Sequence, residues 1–138
     1  MEVKAMKPTA EVEYQIEALD GEGKPLPPER LWLRVRFIGA DSNVDLVRPY
    51  ARRRDPDAPP ETKEEISRRV SLSEFNRATI AMAIEAWDLT IDGKPLEVND
   101  ENKSIYVPHI AAAKIVDGGI VGFHLAEFVR EPRNFLKN

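Results

Sequence analysis

Two stretches near the beginning of the chain alternate apolar and polar side chains, and this pattern restricts its fold more than any other feature. The stretches run over residues 12–18 and 31–38. A repeat of two residues is typical of a β-strand with one face buried and the other exposed to solvent. The residues expected on the buried face are Val12, Tyr14, Ile16, Ala18, Leu31, Leu33, Val35 and Phe37.

The segment between these two strands is rich in turn-forming residues. Residues 20–28 contain two glycines and three prolines, so we expect the chain to reverse there and the strands to pair in antiparallel orientation. On the exposed face, this pairing sets Glu13 and Glu17 against Arg34 and Arg36, and the charges are complementary.

Helical signals begin at residue 62. Thr62-Lys-Glu-Glu65 and Ser71-Leu-Ser-Glu74 both have the form of a capping box, in which a hydroxyl and a carboxylate satisfy free backbone amides. Apolar residues then recur at helical spacing as far as Trp87. This spacing predicts a well-buried helix that ends at Trp87.

A turn and further helices are predicted after Trp87. Asp92-Gly93 suits a tight hairpin turn that requires positive φ angles. Asn99, followed by two acidic residues, predicts the start of a helix. Pro108 suits a first helical position, and residues 110–129 predict a last helix, with an interruption at Gly118-Gly119.

Strands followed by helices indicate an α+β fold, with an N-terminal antiparallel hairpin or small sheet and a C-terminal helical part. The 138 residues predict a single domain. We divide it into a β-rich part (1–40), a Pro- and Arg-rich loop (41–61), a helical part (62–132) and a polar tail (133–138).

Composition excludes several classes of function. The chain has no cysteine, which removes disulfide frameworks, Cys-ligated zinc and thiol nucleophiles. The formal net charge of −4 makes nucleic acid an unlikely partner. Neither a membrane-length apolar stretch nor a secretory signal is apparent, so we expect a cytoplasmic protein without membrane contact.

The search for catalytic groups yields no candidate. His109 and His124 lie outside any metal-binding spacing such as HExxH. The acidic pairs Glu64-Glu65 and Asp100-Glu101 open predicted helices, where negative charge is favourable for structural reasons. We therefore expect no catalytic residue, no metal and no cofactor, and a chain that is not an enzyme.

Three groups of residues are candidates for contact with a partner. Trp32 and Ile38 lie on the outward face of the second strand, unless a loop or helix covers them. Arg52, Arg53 and Arg54 suit an acidic partner or phosphate, although neighbouring aspartates also fit a simple solvated loop. Phe135 and Leu136 are apolar residues in a polar tail, as in a docking peptide.

The segment from Ala86 to Asn102 resembles tail assembly chaperones of long-tailed bacteriophages and prophages. In that family, a helix ends in Trp, a turn of the form Asp-Gly-Lys/Glu-Pro follows, and a Glu-Asn pair opens the next helix. The corresponding residues here are Trp87, Asp92, Gly93, Lys94, Pro95, Glu101 and Asn102. The resemblance implies a non-enzymatic chaperone that binds the tape measure protein and recruits the major tail protein, the subunit of the tail tube.

Two other functions remain open at the level of sequence. A structural virion component, such as a tail-tube or head–tail connector subunit, would also be small and free of cysteine. A nucleic-acid-binding regulator would use the arginines between Arg48 and Arg54. The sequence also leaves homo-oligomerisation open.

Overall fold

An antiparallel sheet in the N-terminal half combines with helices that lie mostly in the C-terminal half, which confirms the predicted α+β fold. The computed structural model describes residues 1–39 and 72–137. In these ranges the elements are β1 (Thr9–Leu19), β2 (Pro25–Arg36), α1 (Leu72–Ala83), β3 (Ile84–Trp87), β4 (Thr90–Ile91), β5 (Lys94–Pro95), α2 (Asp100–Ala112), α3 (Val121–Arg130) and a 3-10 helix (Pro132–Phe135).

Strands β1 and β2 form the predicted antiparallel pair, with the predicted residues on the inner face. The reversal is shorter than expected, because the Asp20 carboxylate accepts hydrogen bonds from the amides of Glu22 and Lys24, both at 2.8 Å. Strand β2 therefore begins at Pro25, and the prolines expected in a loop lie in the strand. Proline is accepted at the start of a strand, where its missing N–H is not needed.

The short turn also changes the register on the exposed face. Glu11 lies opposite Arg34, and Glu13 lies opposite Trp32. The predicted pairing of Glu13 and Glu17 with Arg34 and Arg36 is therefore wrong. Instead, Glu13 Oε1 lies 2.6 Å from Nε of Arg30, its diagonal neighbour on β2.

Helix α1 is shorter than predicted, because it ends at Ala83 and runs directly into β3. Strand β3 adds to the second edge of β2, with Trp87 opposite Leu33. Helical spacing predicted a helix as far as Trp87, and this is wrong for residues 84–87. Pairing with the otherwise open backbone of β2 outweighs the local helical preference of four residues.

The hairpin and helix start predicted after Trp87 are confirmed. Asp92 and Gly93 have φ angles of 51° and 77°, and they connect β4 to β5 in a turn with both central residues left-handed. The Asn99 side chain accepts a hydrogen bond of 2.8 Å from the amide of Asn102 and so caps α2.

The last helical region differs from the prediction. Pro108 lies inside α2, not at a first helical position, and α2 ends at Ala112. Residues 113–120 form a loop closed by a bridge between Lys114 and Ile120. Gly118 and Gly119, with φ angles of 105° and 90°, separate α2 and α3 more completely than expected.

The core lies between the inner face of the sheet and the helices. Phe135 is fully buried in it and contacts Phe37 and Phe128, with ring centroids 5.5 and 5.9 Å away. The predicted polar tail is therefore wrong at Phe135, which completes the core. None of the helices in the described ranges has the length and apolar character needed to span a bilayer.

Candidate partner-binding surface

A groove of about 190 Å³ lies where the three α-helices meet. We call it the three-helix groove. Its lining is mainly apolar and combines the first half of α1, the second half of α2 and the beginning of α3. The lining residues are Ser73, Asn76, Arg77, Pro108, Ala111, Ala112, Ile120, Gly122 and Phe123.

Small residues on α2 and α3 make this meeting of helices possible. A Cβ atom at Gly122 would lie 2.8 Å from the carbonyl oxygen of Ala111 and 3.2 Å from its Cβ. Only glycine permits α3 to begin so close to α2 without displacing backbone.

The rim of the groove exposes apolar side chains. Phe123 is 50% exposed and Ile120 is 38% exposed, although both lie beside buried residues of α3. Arg77 of α1 adds a positive charge to the rim. Large apolar side chains that remain exposed around a concave surface are typical of a protein–protein contact site.

Asn76 provides a polar group in this apolar surrounding. Its side chain is 6% exposed, and its Oδ1 atom is buried without a hydrogen-bond partner in the described part of the chain. A buried carbonyl oxygen left without a donor costs free energy. Asn76 is also one of the residues that line the three-helix groove.

Helix α3 is held against α1 by Arg130. Its Nη2 atom donates a hydrogen bond of 2.9 Å to Oγ1 of Thr79. The guanidinium also lies 5.0 Å from the centre of the Phe75 ring, in a cation–π contact. Burial lowers the pKa of Arg130 from its ordinary value. This clamp fixes the relative position of two of the three helices that form the groove.

The two histidines occupy separate surroundings. Tyr14 on β1 and Nδ1 of His124 on α3 are 2.6 Å apart. The two groups share a hydrogen bond, and burial raises the pKa of Tyr14. His109 lines a pocket of about 210 Å³, in which Glu29 is the acidic lining residue.

A cavity of about 430 Å³ is lined by both positive and negative side chains. Arg36 and Lys103 face Glu85 and Asp100 there. Burial, more than any neighbouring charge, lowers the pKa of Lys103. In residues 1–39 and 72–137, no group of three or more His, Asp or Glu side chains is placed to hold a metal ion.

The residues predicted to contact a partner do not form one surface. Trp32 is half-buried on the exposed face of β2, and its amide donates to Asp88 Oδ1 at 3.0 Å. Ile38 is partly buried and packs against the core, and its amide donates to the carbonyl of Val129. The prediction of an outward Trp32–Ile38 pair is therefore wrong at Ile38.

The two tail residues are also placed differently from the docking peptide predicted for them. Phe135 is fully buried, so the prediction that it contacts a partner is wrong. Leu136 is half-buried and forms a β-bridge with Met6. Arg52, Arg53 and Arg54, with the rest of the Pro- and Arg-rich loop and the first capping box, lie outside the described residues.

The residues of the resemblance segment have structural roles. Trp87 is buried, and its Nε1 atom donates to the carbonyl of Leu96 at 2.7 Å. Asp92 and Gly93 form the turn, and Pro95 lies in β5. The side chain of Asn102 donates to the carbonyl of Glu97 at 2.8 Å. These contacts connect β3 to α2 and contribute no residue to the groove.

Sequence reasoning missed the residues that give the groove its character, which are Asn76, Ile120 and Phe123. One signal was present in the sequence: Asn76 interrupts the apolar stripe of α1 beside Phe75 and Ala78. Comparison with protein-family models, curated proteins and solved structures found no match for this chain.

Proposed function

We propose that this chain is a non-enzymatic tail assembly chaperone of a bacteriophage or prophage. It binds the tape measure protein and tail tube subunits in the host cytoplasm while the tail is built. The three-helix groove carries this proposal, because it combines an apolar rim with an Asn76 amide oxygen that has no partner among the described residues. The resemblance of residues 86–102 to the chaperone family supports it.

The groove has the chemistry needed to receive a helical partner. A tape measure protein is a long helical chain, and before assembly it would expose apolar side chains. A groove between helices accepts one apolar side chain from an amphipathic helix. Phe123 and Ile120 would pack beside that side chain.

A single groove of this size gives modest affinity, which suits a protein that must later be released. Several chaperone copies along one long partner would shield its apolar surface together. Their combined effect would exceed the affinity of each contact alone. This arrangement keeps the partner soluble and still allows the tail tube to displace each copy in turn.

Co-expression with the tape measure protein from the same gene neighbourhood tests the proposal. We expect a complex that co-purifies and a larger soluble fraction of the tape measure protein. Phe123→Glu places a charge on the rim and should abolish both effects. Leu26→Glu is the matched control, because Leu26 is 46% exposed and lies on the sheet, away from the groove.

Two results would contradict the proposal. The first is that the wild-type chain gives neither a complex nor a gain in solubility. The second is that the chain is present in purified virions at a stoichiometric level, as measured by mass spectrometry. That second result would instead favour a structural virion component.

A further inference from the structure

In residues 1–39 and 72–137, the edge of the sheet formed by β1 is paired with other parts of the chain only at its two ends. Near one end, the Glu17 amide donates to the Lys114 carbonyl, and the Val116 amide donates to the Gln15 carbonyl, both at 2.9 Å. Near the other end, the Lys137 amide donates to the Ala5 carbonyl at 2.9 Å. Both pairings are antiparallel and centre on the bridges Ile16–Ile115 and Met6–Leu136.

Among the residues that the structure describes, the length of β1 between these pairings is open. Backbone groups alternate between the two edges of a strand, and the outward bonds at residues 5, 15 and 17 show that odd-numbered residues face this edge. The backbone amide and carbonyl groups of Thr9, Glu11 and Glu13 therefore point toward this edge, away from β2. Among residues 1–39 and 72–137, none pairs with them there, because β2 occupies the other side of β1.

We propose that this open length of β1 binds an extended, basic segment of a partner protein as an additional antiparallel strand. Strand addition of this kind draws its affinity from backbone hydrogen bonds and its specificity from alternate side chains. The antiparallel direction follows the two segments of the chain that already pair with the same edge.

Charge on the exposed face selects a basic partner. The outward side chains of β1 include Glu11, Glu13 and Glu17, and all three are exposed. The neighbouring strand β2 places arginines beside two of them, since Arg34 lies opposite Glu11 and Arg30 forms an ion pair with Glu13. A strand added on the other side of β1 would lie beside the same three glutamates. Lys or Arg at alternate positions of that strand would therefore be favoured.

On the inner face of the sheet, the surroundings favour apolar side chains at the remaining positions of the added strand. Val12 is only partly buried there. Tyr14 contacts His124, and His124 stacks with Phe128 at a centroid distance of 6.4 Å. His124 is exposed and Phe128 is half-buried. An added strand with alternating basic and apolar side chains would cover these rings.

A second copy of the chain does not fit this edge. Pairing β1 with β1 would place acidic side chains of one copy against those of the other on the same face. Like charges on an exposed edge oppose association of identical strands. The site therefore favours a different protein, and it is separate from the three-helix groove, so its test is independent of the proposed function.

A synthetic peptide that copies residues 30–36, Arg-Leu-Trp-Leu-Arg-Val-Arg, is a suitable probe. Arginine occupies three of its four even-numbered positions, its odd-numbered positions are apolar, and the same sequence already pairs with β1 in the fold. We expect saturable binding to the full chain, measured by fluorescence anisotropy. A peptide with glutamate in place of each arginine should not bind.

Two variants locate the site. Glu11→Pro removes an amide donor that points toward the open edge, without removing a bond to β2. The affinity for the peptide should then fall about tenfold or more. Glu11→Lys keeps the backbone and should also weaken binding, whereas Glu22→Lys in the turn should not. In amide hydrogen exchange, the bound peptide should protect Thr9, Glu11 and Glu13.

Several results would overturn the proposal. They are the absence of saturable binding, equal affinity for wild type and both Glu11 variants, and protection of amides elsewhere. A dimer of the free chain that protects the β1 amides would also overturn it. If Glu11→Pro fails to fold by circular dichroism, Glu11→Lys and the exchange pattern still decide the question.

Discussion

At the scale of single residues, Asn76 is a polar side chain that is buried at a cost to stability. Its Oδ1 atom has no donor among the residues that the structure describes, and it lies in a helix whose other inward residues are almost all apolar. A chain selected for stability alone would place an apolar side chain there. No residue in the ranges 1–39 and 72–137 supplies a donor that would offset the cost of burying this polar atom.

Asn76→Leu should stabilise the free protein. Leucine has the same branched shape but no polar atoms, so the free energy of unfolding should rise by about 1 kcal/mol. Urea denaturation measures the change. Asn102→Leu is the contrasting control, because Asn102 makes its hydrogen bond to Glu97 and should lose stability. A loss of stability in Asn76→Leu would show that the amide is satisfied.

At the scale of elements, the features that could be predicted are those that depend only on residues close together in the sequence. The alternation of β1 and β2, the Asp92-Gly93 turn and the Asn99 cap each depend on fewer than about twelve consecutive residues. The end of α1 and the separation of α2 from α3 could not be predicted in this way. They depend on pairing with β2 and β1, which lie far away in the sequence.

The three-helix groove was beyond prediction for the same reason. Its lining comes from residues 73–77, 108–112 and 120–123. Nothing in any one segment indicates that the three will meet. Phe123 is an example, because its place on an apolar helix favours burial, yet its side chain is half-exposed at the rim.

The contact between α1 and α3 gives a prediction at the scale of elements. Arg130→Lys keeps the positive charge but cannot reproduce both the bond to Thr79 and the planar contact with Phe75. We expect a loss of about 1 kcal/mol in stability, measured by thermal unfolding. Arg133→Lys is the control, since Arg133 is largely exposed and should leave the melting temperature unchanged. Equal melting temperatures for the wild type and Arg130→Lys would show that this clamp contributes nothing.

At the scale of the whole molecule, one core joins the sheet to the helices. Residues of β1, β2, β3 and all three described α-helices belong to the same buried cluster, and Phe135 completes it from the end of the chain. Because the cluster is shared, we expect the sheet and the helices to unfold together.

Phe135→Ala tests this dependence. Removal of a fully buried aromatic ring should cost about 3–5 kcal/mol, and tryptophan fluorescence and far-ultraviolet circular dichroism should follow one coincident transition. Phe123→Ala, which shortens a half-exposed ring, should cost less than about 1 kcal/mol. Two separate transitions in the wild type would indicate that the sheet and the helices are independent.

The burial of Phe135 has a consequence for synthesis on the ribosome. The strands are translated first, but their apolar face cannot be fully covered until residue 135 has left the exit tunnel. Until then, a nascent chain exposes apolar sheet and an open strand edge at once. Until residue 135 has emerged, the nascent chain is therefore in the state most prone to aggregation.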